Sequence, residues 1–267
     1  MTDLHAVLDR AAAFAREAGE RIAHVSRAAV TQKEGHYNFV TETDVAVQEY
    51  LRGELTALLP GSRFYAEEQE NAPLTDAYTW VVDPIDGTMN FIAHRQYSCV
   101  SVALLHQKTP VLAIIHQPYT GELFTAIRGE GAFLSGRSLR VSDRPFDKAL
   151  TNLGTSPYYA ALAPATAYCF QQFLSRCGDI RRSGSAALDL CDIACGRADI
   201  FFELRLSPWD FAAGALLVTE AGGVFAMPYE ERIDFGKPAC ILACNPGCQQ
   251  GAVEILNEAK GLIDTIP

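Results

Sequence analysis

The sequence predicts a mixed α/β fold in two lobes. Three observations predict it. An amphipathic helical stripe opens the chain, strand-like segments follow one another from 97 to 127, and after about residue 146 helices alternate with short strands. A chain of 267 residues, 49% hydrophobic and 20% charged, is long enough for one large globular unit or two small ones. With no linker or low-complexity segment at the switch, lobes 1–146 and 147–267 are expected to form one compact unit.

Residues 3 to 25 place Leu4, Val7, Leu8, Ala11, Phe14, Ala15, Ala18 and Ile22 on one stripe, with Asp3 as the expected cap. Residues 44 to 59 read as a second helix, stopped by Pro60-Gly61. Short strands are expected at 64–66 and 78–82, and three antiparallel neighbours at 97–105, 111–116 and 122–127, separated by Lys108-Thr109-Pro110 and Pro118-Tyr119-Thr120-Gly121. The glycine-spaced run from Gly129 to Gly136 reads as hairpin turns, because it lacks the strand-then-helix setting of a nucleotide fingerprint. Beyond it come helices at 158–176, 185–196, 209–221 and 249–259 and strands at 198–203 and 240–243.

The formal charge of −10 argues against a general nucleic-acid surface, which needs clustered lysine and arginine. No apolar run approaches the ~18 to 20 residues of a membrane span, and Met1-Thr2-Asp3-Leu4-His5 lacks the layout of a signal peptide. A cytoplasmic protein is expected. The eight cysteines contain no Cys-x-x-Cys pair, so they read as reduced packing or surface thiols. His36, His94 and His116 read as loop or surface histidines, and Arg181-Arg182 as a solvated pair.

The sharpest local signal is Trp80-Val81-Val82-Asp83-Pro84-Ile85-Asp86-Gly87-Thr88, an apolar strand running into two carboxylates three positions apart. Pro84 has no N–H and disfavours helix at Asp83, so the strand is expected to stop there and turn. The turn can place Asp83 and Asp86 on one side. Gly87 lets backbone approach a ligand, and Thr88 begins a new element whose free N–H groups can hold a phosphate. Asp83 can bridge two hard cations, and the Ile85 carbonyl offers another oxygen. By themselves, Asp83 and Asp86 are equally readable as a turn closer and a helix cap. Two further acidic sites complete a metal cluster: Glu67-Glu68 after a short strand, and Asp210 in Trp209-Asp210-Phe211 at the start of an apolar helix.

Ala66-Glu67-Glu68, then Asp83 to Phe91, then Trp209-Asp210 leading to Glu220-Ala221-Gly222-Gly223, together with Asn38-Phe39-Val40-Thr41-Glu42-Thr43-Asp44, resemble the inositol monophosphatase family across about residues 4 to 257. The resemblance implies a layered α/β/α/β/α sandwich, usually a homodimer, and a Mg²⁺-dependent, lithium-sensitive phosphatase acting on inositol 1-phosphate or a similar small polyol or sugar phosphate. It implies that Glu67, Asp83 and the Ile85 carbonyl hold one metal and Asp83, Asp86 and Asp210 a second, with Glu67 and Asp44 near a third. Glu67 and Thr88 would orient an attacking water, with Asp44 close by, and Asp86, Gly87, Thr88, Gly184, Ser185, Ala186 and Glu203 would contact the substrate. Mn²⁺ suits the same oxygen donors.

Several positions depart from the family pattern: Ala66 stands where glycine is usual, Met89 where a small hydroxyl residue is common, and Ser207-Pro208 precedes Trp209. The stretch 92–97 is one residue longer than usual. These positions surround the pocket and keep fructose-1,6-bisphosphatase, histidinol phosphatase and 3′-phosphoadenosine nucleotide phosphatase activities open, beside a non-catalytic sugar-phosphate binding protein. Thr155 and Arg181 lie in neighbouring matched segments, where a loop hydroxyl and a surface or dimer-interface cation are equally open readings.

Overall fold

The computed structural model describes residues 2–25, 29–32 and 39–264; His36 and Asn38 lie outside them. In chain order the elements are α1 (Leu4–Ala23), β1 (Val30–Gln32), β2 (Phe39–Thr41), α2 (Glu42–Leu58), β3 (Arg63–Ala66), β4 (Thr79–Asp86), α3 (Thr88–Ile92), β5 (Cys99–His106), β6 (Thr109–Gln117), β7 (Glu122–Ile127), β8 (Gly131–Leu134) and β9 (Arg137–Ser138). Then come β10 (Leu150–Leu153), α4 (Ala163–Arg176), β11 (Asp179–Arg181), α5 (Ala186–Ala194), β12 (Ile200–Leu206), α6 (Pro208–Glu220), β13 (Val224–Ala226), β14 (Ala239–Cys244) and α7 (Gln249–Ile263).

Strands β3 to β9 form a seven-stranded sheet in sequence order, parallel between β3 and β4 and antiparallel thereafter. A five-stranded sheet runs β11-β10-β12-β14-β13, and β1 and β2 pair separately. Alternation along β4 shows how the layers stack. Trp80 and Val82 join a core with Val7, Ala11 and Ala18 of α1 and Leu51 of α2, whereas Val81 faces a second core built from α5, α6 and the inner face of the smaller sheet. The outer face of that smaller sheet is covered by Cys169 and Phe173 of α4 and Ile255 and Leu256 of α7. The order is therefore α/β/α/β/α, as expected. The middle layer explains two sequence features: β4, β5 and β6 are apolar almost throughout because both their faces are buried, and α6 is buried from Phe211 to Val218 because it lies between two sheets.

Local chemistry sets the element ends. Asp3 caps α1 through its carboxylate, which accepts the amides of His5 and Ala6 at 3.1 and 3.2 Å. The second helix begins two residues earlier than expected, because Thr41 and Asp44 form a reciprocal capping box at its first turn. At the far end of α6, Glu220 accepts the amides of Gly129 and Gly131 at 2.8 and 2.9 Å, tying the expected glycine hairpin to the middle layer. The chain passes between the sheets from Ser138 to Leu150. There the buried Asp199 accepts from the Ser142 hydroxyl, from Arg144 Nε at 2.7 Å and from Leu150 N at 2.7 Å. The short strands β1, β2, β10, β11 and β13 were not legible in sequence; at three or four residues they lack enough alternation to show a period. The eight cysteines are free thiols, most of them packed in the cores.

Candidate active site

Strand β4 does not stop at Asp83. It runs on to Asp86, and its ladder with β5 shifts between Asp83, opposite Ser101, and Asp86, opposite Cys99. Pro84 and Ile85 thus stand against Val100 alone, an irregularity that absorbs a residue with no N–H to donate. The expectation of a strand end failed because proline interrupts a ladder without necessarily ending it. The local turn remains: Asp83 Oδ1 accepts Ile85 N at 2.9 Å, and Thr88 Oγ1 donates to the Ile85 carbonyl at 3.1 Å. Asp83 and Asp86, both almost wholly buried, face the same cleft.

Gly87 joins β4 to α3 at φ 90°, ψ 40°, where a β-carbon would lie 3.1 Å from the Tyr97 carbonyl and 3.2 Å from the Gly184 carbonyl. Only glycine permits that approach without strain. It brings the start of α5 against Asp86, whose carboxylate accepts the Ser185 hydroxyl and, at 2.8 Å, the Ala187 amide. Ser185 also caps α5, its hydroxyl accepting Leu188 N at 3.3 Å.

Asp210 arrives from the opposite side, three residues into α6, where its Oδ2 accepts Ser207 N at 2.7 Å. One carboxylate oxygen each from Asp83, Asp86 and Asp210 lie within 4.8 Å of one another. Glu67, next after β3, lines the same cleft of ≈ 420 Å³. Burial pushes Asp83, Asp86 and Asp210 above the usual carboxylate range, and the charge of Glu67 adds to the rise at Asp83 and Asp210. Such a group of acids stays ionised together only beside compensating positive charge, and its donors are all oxygens, which fits a hard divalent cation. Asp44 stands behind the cleft wall, fully buried, with Oδ1 3.4 Å from Thr88 Oγ1. Burial is the main reason its carboxyl too is raised.

Gly184, Ser185, Ala186 and Glu203 form the far wall of the cleft. Glu203 Oε1 accepts Ser156 N at 2.6 Å, and burial raises its carboxyl to about 7 despite that hydrogen bond and the nearby Arg182. Arg181 does not reach the cleft: it turns outward to Asp179 at 2.6 Å and to the Ile180 carbonyl. Its neighbour Arg182 lines the cleft instead, held by Thr155 Oγ1 at 3.1 Å. Strand β11 ends at Arg181, and Arg182 belongs to the connection leading to α5, a distinction the pair Arg181-Arg182 does not show in sequence. Sequence reasoning also missed Tyr158, Tyr159, Arg205 and Asp189 as cleft residues. The only sequence signal for the first three was an aromatic pair in a loop and a charge two positions after Glu203. Of the histidines, His94 is exposed and outside the cleft, and His116 is packed away with Nδ1 3.1 Å from the Glu122 carbonyl, its basicity lowered chiefly by burial.

A layered α/β/α/β/α sandwich with Glu67, Asp83, Asp86 and Asp210 gathered in one cleft defines the class: a metal-dependent phosphomonoesterase. The model of the inositol monophosphatase family matches residues 3–260, and the chain belongs to that family. It is similar to inositol monophosphatase 2 of Solanum lycopersicum, 39% identical over 263 residues covering 95% of this chain and 98% of the relative. The Nus factor SuhB of Escherichia coli strain K12 is 40% identical over 228 residues, 83% of this chain and 85% of that protein. Among solved structures, the Anabaena inositol monophosphatase superposes with a TM-score of 0.85 at 32% identity, covering 96% of this chain and 97% of that one. The Thermotoga maritima IMPase does so with 0.87 at 29% identity, covering 96% and 98%.

Proposed function

We propose that this protein is a Mg²⁺-dependent phosphatase that hydrolyses inositol 1-phosphate or a closely similar small polyol or sugar phosphate. The observation that carries the reading is the convergence of Asp83, Asp86 and Asp210, from two separate elements, to within 4.8 Å at the floor of a cleft whose far wall is Glu203 and the start of α5. Two relatives bear the name inositol monophosphatase, at 39% and 37% identity, which supports the substrate class.

In this reading Asp83, Asp86, Asp210, Glu67 and the Ile85 carbonyl hold the cations, Mn²⁺ being accepted by the same donors. Bound divalent cations supply positive charge to the phosphoryl and leaving oxygens and lower the pKa of water. The remaining work belongs to the chain. Glu67 and the Thr88 hydroxyl orient the attacking water, and Thr88, hydrogen-bonded to the Ile85 carbonyl, is fixed in place for that task. Asp44, raised by burial and with Oδ1 3.4 Å from Thr88 Oγ1, is suited to receive the hydroxyl proton when Thr88 turns it from the Ile85 carbonyl and takes one from the attacking water in its place. The amides of Gly87 and Thr88 hold phosphoryl oxygens. Gly184, Ser185 and Ala186 meet the polyol, and Asp86 and Glu203 accept hydrogen bonds from its hydroxyls.

A homodimer, a cytoplasmic location and inhibition by lithium complete the proposal; among the described residues no helix is long and apolar enough to cross a membrane. The deciding experiment is phosphate release from inositol 1-phosphate, fructose 1,6-bisphosphate, histidinol phosphate and 3′-phosphoadenosine 5′-phosphate, with Mg²⁺ and with chelator. Magnesium-dependent release from inositol 1-phosphate is expected. Folded, metal-bound protein that releases phosphate from none of the four would overturn the enzyme reading in favour of a sugar-phosphate binding protein.

A further inference from the structure

The acidic floor of the cleft has an unexpected counterpart at its mouth. Glu203 and Arg205 sit two apart on β12, the spacing that sends side chains to one face of a strand, and both line the cleft. The ladder between β12 and β14 shifts between Glu203 and Leu206, so Arg205 occupies an irregular stretch of backbone. Ser156 fixes that stretch from the side: its Oγ accepts Arg205 N at 3.0 Å and donates to the Arg205 carbonyl at 3.2 Å. Glu203 is buried below, while the Arg205 guanidinium stands at the surface with its carbon 4.7 Å from the centre of the Tyr159 ring. A flat cation against an aromatic face is held in one orientation without losing its hydrogen-bond donors.

Arg182 supplies a second guanidinium. A β-carbon at Gly184 would fall 2.4 Å from Arg182 Nη1, so this side chain lies across Gly184, on the wall expected to meet the polyol. Its other terminal nitrogen donates to Thr155 Oγ1 at 3.1 Å. Among the described residues neither Arg182 nor Arg205 forms an ion pair, whereas Arg144, Arg176, Arg181 and Arg197 all do. Both guanidiniums are held in one cleft by neutral groups, Arg182 by the Thr155 hydroxyl and Arg205 by the Tyr159 ring. The metal-binding acids lie at the floor, so they leave these donors available to a ligand.

We propose that Arg182 and Arg205 form a second anion subsite, and that the preferred substrates are polyol or sugar phosphates bearing another anionic group distal to the phosphate that is cleaved. This rests on the phosphatase reading above and narrows it. The scissile phosphate sits over Asp83, Asp86 and Asp210, the sugar spans the wall of Gly184 and Glu203, and the distal anion takes the guanidinium donors. Arg182 and Arg205 act on specificity; they do not touch the reacting atoms.

The test compares kcat and KM for inositol 1-phosphate, which has one anionic group, and fructose 1,6-bisphosphate, which has two, in the wild type and in Arg205→Gln and Arg182→Gln with saturating Mg²⁺. The wild type is expected to favour the bisphosphate in kcat/KM. Each substitution is expected to raise KM for it about tenfold, the loss of one good charge-assisted contact; Arg205→Gln keeps the monophosphate values within about twofold, and Arg182→Gln, whose side chain lies across Gly184, raises KM for the monophosphate by less than for the bisphosphate. Arg205→Lys, which keeps charge but loses the planar stack, is expected to fall between. Both side chains are exposed at their tips, and matching melting curves establish that the variants are folded. Equal changes for both substrates, or no change for either, would overturn the subsite while leaving the phosphatase intact. Release from neither substrate by the wild type would overturn the subsite and the inositol- or sugar-phosphate reading it rests on, and the four-substrate panel then decides whether the protein is a phosphatase at all.

Discussion

The hydroxyl of Ser185 donates to the carboxylate of Asp86, 99 positions earlier in the chain. The same hydroxyl accepts Leu188 N, so a single atom both caps α5 and orients a carboxylate at the floor of the cleft. Helix α5 therefore cannot shift without moving Asp86. Ser185→Ala is expected to lower stability by about 1 to 3 kcal/mol, combining a lost cap with a lost hydrogen bond to a charged group. It should also reduce kcat/KM, because Asp86 loses its hydroxyl donor and is left with the amides of Ala187 and Ala186 and the long contact to the Cys99 thiol. Urea unfolding and magnesium-dependent phosphate release on one preparation check both; unchanged values in either would show that the contact is dispensable.

Asp83→Asn sets activity against stability. Asp83 is buried among other carboxylates and pushed well above its ordinary pKa by burial, Glu67, Asp86 and Asp210. Removing that charge should make the metal-free protein more stable at neutral pH and lower turnover by ~10² to 10³ or more, since an anionic ligand is lost. Magnesium should raise the melting temperature of the wild type and do so far less in the variant. A variant with wild-type turnover would remove Asp83 from the metal scheme.

Thr88→Ala separates chemistry from folding. Its hydroxyl makes a hydrogen bond to the Ile85 carbonyl and stands 3.4 Å from Asp44, at a half-buried position. Loss of one such bond costs about 1 kcal/mol, whereas loss of a group that positions water and takes part in proton transfer costs ~10²-fold in kcat. Steady-state kinetics alongside a denaturation midpoint distinguish the two. A large fall in stability with a proportionate fall in activity would make Thr88 a structural residue only.

Glu203 gives a pH prediction with a definite sign. Its carboxyl rises from 4.5 to about 7 in the fold, so the folded state binds the proton more tightly than the unfolded chain does. That contribution is fully present below about 4.5 and is lost as pH rises through about 7. In chelator-treated protein, Glu203→Gln should match the wild type near pH 5 and be more stable by about 2 to 3 kcal/mol at pH 8. A difference between the two proteins that does not change with pH would show that Glu203 is ionised throughout.

The strongest sequence signals were those that depend only on neighbours along the chain. Asp83-Pro84-Ile85-Asp86-Gly87-Thr88 carries its own turn, because Asp83 accepts the Ile85 amide and Thr88 donates to the Ile85 carbonyl within a span of a few residues. Asp3 and its helix were legible for the same reason. The extent of β4 was not. Whether a strand survives a proline depends on whether the partner can shift register, and that is settled by β5.

The mixed α/β class and the capped opening helix follow from local periodicity and local hydrogen bonding, and the identity of the acids follows from the motifs; these the amino-acid sequence determined by itself, while the order of the layers was implied only by the family resemblance. Which acids meet, and what surrounds them, only the tertiary structure decided. Asp210 joins Asp83 and Asp86 because α6 is buried between two sheets, and Glu203 lies beside them because β12 is central in its own sheet. Arg182 rather than Arg181 faces the cleft because β11 ends at Arg181, which turns back to Asp179, and Arg182 begins the connection that crosses Gly184 on the way to α5.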